Sequence, residues 1–206
     1  MFTGLVEALG TIVESRQEAD KVGKWIEVEA SFANQLSLGE SVSINGTCVT
    51  VVERTDTRFA AQLTSTTLDL TTLDALTIGQ RVNLERSVTP TTRLGGHWVL
   101  GHVDTRGMVL MVSQEGESHH VTVEFPAEYG RWVMPQGSLA LDGISLTVVQ
   151  RESSRVTVTI IPHTWTHTIA HQWQPGQSVN IEFDALGKYV EQLLGPYQTE
   201  QGGITS

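Results

Sequence analysis

Ser41-Val42-Ser43-Ile44-Asn45-Gly46-Thr47-Cys48-Val49-Thr50-Val51-Val52 returns 97 residues later as Ser138-Leu139-Ala140-Leu141-Asp142-Gly143-Ile144-Ser145-Leu146-Thr147-Val148-Val149. In both copies apolar and small polar residues alternate, and an Asn-Gly or Asp-Gly pair divides the run. That is the pattern of two strands joined by a tight turn whose residues tolerate positive φ. We read both turns as structural. Working outward, Gly4-Leu5-Val6-Glu7 with Gly10 recurs as Gly101-His102-Val103-Asp104 with Gly107. Thr67 answers Thr164, and Gly79-Gln80-Arg81-Val82-Asn83-Leu84-Glu85 answers Gly176-Gln177-Ser178-Val179-Asn180-Ile181-Glu182. The match reads without a gap over some eighty positions, as one domain duplicated. So long a period exceeds that of stacked solenoid repeats, and each copy must bury its own core. A duplicated pocket predicts two similar ligands, or one pseudo-symmetric ligand.

Other short, β-branched segments, among them Trp25 to Glu29, Val121 to Phe125 and Val156 to Ile161, alternate in the same way. Several such strands per copy predict a small barrel or sandwich in each half. The copies join within 86–99, giving domains 1–97 and 98–185 and a terminal segment 186–206. Thr66 to Leu76 and His163 to Trp173 each have room for about two helical turns at a barrel end. Beyond Asp184, Leu186, Val190, Leu193 and Leu194 share one helical face, and Gly195-Pro196 is expected to stop that helix. Its apolar face either covers a barrel end or meets another subunit. Tyr197 to Ser206 reads as a frayed tail.

Of 206 residues, 39% are hydrophobic and 17% charged, enough apolar material for two cores. The net charge of −10 and the lack of a basic stripe exclude nucleic acid as an expected partner. No run approaches the roughly 18 apolar residues of a membrane helix. Met1-Phe2-Thr3-Gly4 shows no basic region ahead of an apolar stretch, so a cytoplasmic protein is expected. Cys48, the single cysteine, allows neither an intrachain disulfide nor a thiolate metal cluster. His163, His167 and His171 stand four apart, but with no Cys, Asp or Glu between them and little helix to carry them we expect no metal.

Met1 to Glu7, Asn45-Gly46-Thr47-Cys48-Val49-Thr50-Val51 and the run Arg93-Leu94-Gly95-Gly96-His97-Trp98-Val99-Leu100-Gly101-His102-Val103-Asp104 together resemble the riboflavin synthase α-chain family. So do Asp142 to Val148, Ile161-Pro162-His163-Thr164, Val179-Asn180-Ile181-Glu182 and Lys188-Tyr189-Val190. The resemblance implies an all-β fold of two tandem six-stranded Greek-key barrels with a short C-terminal helix, assembled as a homotrimer. It implies that two molecules of 6,7-dimethyl-8-ribityllumazine exchange a four-carbon unit, giving riboflavin and 5-amino-6-(D-ribitylamino)uracil with no cofactor. Carried over by position, the first barrel binds substrate with Gly4, Leu5 and Val6, with Cys48, Val49 and Thr50, and with the segment from Gln62 to Thr67. The second uses Gly101, His102 and Val103, then Ser145, Leu146 and Thr147, then Thr159, Ile160, Ile161, Pro162, His163 and Thr164. Gln136 stands where many members carry a substrate-contacting lysine, and Thr66 where several carry a glutamate. These departures keep a non-catalytic lumazine- or flavin-binding carrier open as the alternative.

Two identical substrates with unequal roles require cradles that match and chemistry that does not. The informative mismatches are Leu5 against His102, Cys48 against Ser145, Thr66 against His163 and Gly39 against Gln136. His102 is the expected proton carrier or charge stabiliser, since imidazole titrates near neutrality and Leu5 cannot. Cys48 is either a nucleophile toward an electron-poor ring or a polarisable wall beneath it. Ser41 is expected to position a water or add at the acceptor ring. For Asp184 three roles stand open: orienting a ribityl hydroxyl, pairing with His102 of a neighbouring chain, or capping the following helix.

Overall fold

Alternation along each strand turns one face inward, and in both copies the sheet closes on itself. The computed structural model describes residues 1–17 and 23–201. Its first barrel comprises β1 (Ala8–Gln17), β2 (Gly23–Glu29), β3 (Ser41–Ile44), β4 (Thr47–Arg54), β5 (Arg58–Thr64) and β6 (Arg81–Arg86), antiparallel in the order β1-β2-β5-β4-β3-β6. The second repeats that Greek-key order with β7 (Thr105–Glu115), β8 (Ser118–Glu124), β9 (Ser138–Leu141), β10 (Ile144–Arg151), β11 (Arg155–Ile160) and β12 (Ser178–Phe183). Ile12, Ile26, Val42, Phe59 and Leu84 fill the first interior, and Val109, Val121, Leu141, Val158 and Ile181 the second. Short helices close the barrel ends as expected: α1 (Ser65–Leu70) and α2 (Pro162–His167), each followed by a 3₁₀ turn. The Thr64 hydroxyl accepts the Thr67 amide to cap α1.

The repeat is not free of gaps. Arg58 and Arg155 are 97 apart, yet their cross-strand partners Glu29 and Glu124 are only 95 apart. The β7–β8 hairpin is two residues shorter, and the difference is recovered in the 3₁₀ segment Ala127–Trp132, longer than its counterpart Ala33–Gln35. Hairpin tips change length at little cost, whereas strand register is fixed by which face must be buried.

The two tight turns meet back to back. Asn45 and Asp142 adopt φ of 45° and 44°, in the left-handed region that Asn and Asp tolerate best among residues with a Cβ. Asn83 Nδ2 donates to the Asp142 carbonyl at 2.9 Å, and Asn180 Nδ2 donates to the Asn45 carbonyl at 2.8 Å. Within each copy the turn side chain accepts the asparagine amide, Asn45 from Asn83 and Asp142 from Asn180. The seam is thus a pseudo-two-fold, broken at one atom: Trp173 Nε1 donates to Asp142 Oδ2 at 3.0 Å. Despite these donors, complete burial pushes the Asp142 carboxyl up to about 7.

The last helix, α3 (Ala185–Gln201), does not stop at Gly195-Pro196. In an exposed helix the carbonyl that proline leaves without a donor can be hydrated, so the break is not forced. The chain beyond Gln201 lies outside the described residues. Nor does α3 cover a barrel end: Leu186, Val190 and Leu193 are 62%, 53% and 69% exposed. Glu191 holds it to the second barrel through Trp132 Nε1 and Arg131. Among the described residues no helix is long and apolar enough to cross a membrane.

Candidate functional site

The last strand of each barrel ends in a buried glutamate that grips the segment leading into that barrel. Glu85 accepts the Thr3 amide and hydroxyl at 2.6 and 2.7 Å and the Gly4 amide at 3.0 Å. Glu182 accepts the amides of Leu100, Gly101 and His102 at 2.6, 2.9 and 3.0 Å. Burial raises both carboxyls, Glu182 to about 7, against the opposing pull of those donors and of Lys188. Lys188 at the start of α3 itself contacts Asp104 at 2.6 Å, and Asp104 accepts the Phe183 amide.

Held this way, each leading segment docks on the other barrel. The Cys48 amide donates to the Gly101 carbonyl, and the Ser145 amide to the Gly4 carbonyl, both at 2.8 Å. Phe2 and Val99 exchange backbone hydrogen bonds where the two segments cross. Gly4 and Gly101 have φ of 76° and 80°, and a Cβ would lie 2.6 Å from Ser145 Cβ at Gly4 and 2.7 Å from Cys48 Cβ at Gly101. Glycine is required at both by conformation and by space. The grouping by barrel expected from sequence is therefore crossed. One half-site joins Gly101, His102 and Val103 to Cys48, Val49 and Thr50, while the other joins Gly4, Leu5 and Val6 to Ser145, Leu146 and Thr147. Val6 packs on the second barrel's core accordingly.

In the first half-site His102 is exposed and Cys48 half-buried. Ser41 pairs with Thr50 across β3 and β4. Its counterpart Ser138 pairs with Thr147, so Ser41 belongs to the shared scaffold rather than to the mismatched set. Gln62 lies on β5 and Thr67 in α1. On the second side Thr159 shares a hydrogen bond with His120, Ile160 is buried in the core, and Ile161 caps α2 ahead of Pro162, His163 and Thr164. The rings of His163 and His167 stack at 4.2 Å, and the described residues contain no group of three side chains suited to a metal. Gln136 is exposed on a left-handed turn with φ of 61°. Asp184 Oδ1 accepts the Leu186 amide at 3.0 Å, the capping role among the three left open, and its charge favours the protonated form of His97.

Sequence reasoning missed Glu85, Glu182 and His97. The glutamates were visible only as part of the repeat, although an acid that recurs at the end of a strand of otherwise buried residues is a signal of its own. Chemically, each half-site sets small side chains of β4 or β10 beside a glycine arm, a surface that a flat heterocycle can approach closely.

The lumazine binding domain family matches twice, over residues 3–87 and 100–184. Proteins named riboflavin synthase are similar over most of the chain. That of Photobacterium phosphoreum is 35% identical over 194 residues, 94% of this chain and 89% of that protein. That of Bacillus subtilis (strain 168) is 33% identical, covering 94% and 90%, and that of Schizosaccharomyces pombe is 36% identical, covering 94% of each. Two crystal structures of LumP share the fold: the complex with 6,7-dimethyl-8-(1'-D-ribityl) lumazine at TM-score 0.79 and 19% identity, and that with riboflavin at 0.81 and 18%. They cover 88% and 89% of this chain and 98% and 99% of their own.

Proposed function

As a member of the riboflavin synthase family, to which its two lumazine binding domains and its relatives at 33–36% identity together assign it, the chain is a transferase, and we propose that it moves a four-carbon unit between two molecules of 6,7-dimethyl-8-ribityllumazine. The products are riboflavin and 5-amino-6-(D-ribitylamino)uracil. The observation that carries this reading is the pair of crossed half-sites, alike in backbone and unlike in side chains. Two copies of one substrate need matching cradles, and donor and acceptor roles need a difference. In this reading Cys48 and His102 serve one ligand and Ser145 and Leu5 the other, supported by the bonds of the Cys48 amide to the Gly101 carbonyl and of the Ser145 amide to the Gly4 carbonyl. Alignment of the two rings replaces a bimolecular encounter, an effect worth as much as ~7–11 kcal/mol. The substrates exchange carbons with each other, so no cofactor takes part.

In this reaction His102 carries the proton and Cys48 walls or attacks the ring. Ser41, matched by Ser138 in the other copy, positions a water, and Asp184 meets a ribityl hydroxyl with the carboxylate oxygen not used in capping. The exposed face of α3 supports assembly as a homotrimer, with the half-sites of adjacent chains completing one another, and the cytoplasm is the compartment we propose for it. Incubating the purified chain with the lumazine alone and following absorbance should yield riboflavin at half the substrate consumed. Tight binding without riboflavin would instead make the protein a carrier, and Gln136→Lys would be the first substitution to try for turnover.

A further inference from the structure

His97 Nδ1 and Ser145 Oγ lie 2.7 Å apart. The imidazole is 8% exposed, and its own amide donates to the Thr3 carbonyl at 3.1 Å, two residues from the Leu5 of the same half-site. Thr3 in turn is fixed by Glu85. The chain is threaded closely to bring the ring here: a Cβ on Gly96 would lie 2.1 Å from the Thr3 carbonyl oxygen and 3.0 Å from Ser145 Oγ. Burial lowers the proton affinity of His97, with the Asp184 charge opposing, which favours the neutral ring whose Nδ1 can accept a hydrogen bond from the hydroxyl.

The molecule contains its own control. At the equivalent place in the first barrel stands Cys48, whose amide makes the same 2.8 Å bond to the opposite arm. Among the described residues no ring nitrogen is hydrogen-bonded to its thiol. The fold therefore forms this junction without an imidazole, and the His97–Ser145 pair is surplus to it.

We infer that His97 is a positioning residue of the second half-site, accepting the Ser145 hydroxyl proton so that the Oγ lone pairs are presented to the bound heterocycle. Resting on the proposed lumazine chemistry, this makes the half-sites unequal in a second respect: His102 acts directly at one, and a histidine acts through serine at the other. A hydroxyl locked in one rotamer and oriented by a buried acceptor recognises a ring N–H or a polarised C–H, whereas a thiol in the same place does not.

The test compares His97→Ala, His97→Asn, Ser145→Ala and the double His97→Ala/Ser145→Ala in two assays. One is equilibrium titration of lumazine fluorescence, which needs no turnover; the other is steady-state riboflavin formation. His97→Ala should weaken the binding component that Ser145→Ala weakens, each by roughly tenfold, the scale of one lost hydrogen bond. The double variant should lose no more than either single, and His97→Asn, whose amide reaches the Nδ1 position, should recover most of the loss. Losses that multiply, or lumazine affinity unchanged in His97→Ala, would overturn the inference whatever the reaction proves to be. Wild type that binds lumazine but forms no riboflavin overturns the proposed reaction alone, and the coupling is then read from the affinities.

Discussion

Asp142→Asn would make the seam between the barrels symmetric, since its counterpart is already Asn45. In the wild-type protein the carboxyl is raised from an ordinary 3.8 to about 7 by burial. A carboxyl whose folded value is raised contributes its full stability below the unfolded value and loses it as pH climbs to the folded one. The window is therefore pH 4 to 7. At about 1.4 kcal/mol per pH unit the loss across it is roughly 4 kcal/mol, with no further change above. The asparagine has no such dependence, but its Nδ2 would face Trp173 Nε1, donor against donor, at a site where the wild type has a 3.0 Å bond. An unsatisfied buried donor costs about 1–3 kcal/mol. Asp142→Asn should thus be less stable than wild type at pH 4.5 and as stable or more so at pH 8. Urea unfolding of both proteins at half-unit pH steps measures the difference directly, and other titrating groups cancel from it. A difference that stays constant between pH 4.5 and 8 would refute the assignment of a buried, neutral Asp142.

Three further expectations concern the arms and the helix. Glu182→Gln keeps the size of the side chain but turns a donor toward one of the amides of Leu100, Gly101 and His102, so it should cost about 1–3 kcal/mol in unfolding free energy and broaden the His102 imidazole signals in NMR. Glu85→Gln should disturb the Ser145 half-site instead. Replacing Leu186, Val190 and Leu193 together by aspartate should reduce the assembly to monomers in sedimentation and abolish riboflavin formation; an active monomer would rule out a site shared between subunits.

Much of the architecture was legible because it is written twice. The strand–turn–strand unit of Ser41 to Val52 and its echo gave the turn residues and left a barrel or a sandwich for each copy, the family resemblance chose the barrel, and the segments after Thr66 and His163 gave the end-closing helices. What escaped was nonlocal. A match between Gly4 and Gly101 says that two segments are alike, but not which barrel each touches, since the crossing depends on Phe2 meeting Val99. The two-residue change in the β7–β8 hairpin was masked by its recovery before Val133. His97 gives no signal of its own, because a histidine in a linker shows nothing of the serine it will meet 48 residues later. At Gly195-Pro196 the local rule for ending a helix gave way because solvent can take the place of the missing donor.

The exchange of leading arms has a consequence for what a repeat is. Each barrel owns a core, but neither owns a complete cradle: Cys48 needs Gly101, and Ser145 needs Gly4. In form the chain is an arm-swapped dimer whose two members have been tied together by one peptide segment. Substitutions at Leu5 and His102 can accordingly make the two halves diverge in chemistry while both interiors stay untouched. The arms are the part of this molecule free to specialise, and the barrels are the part that keeps the two specialities in register.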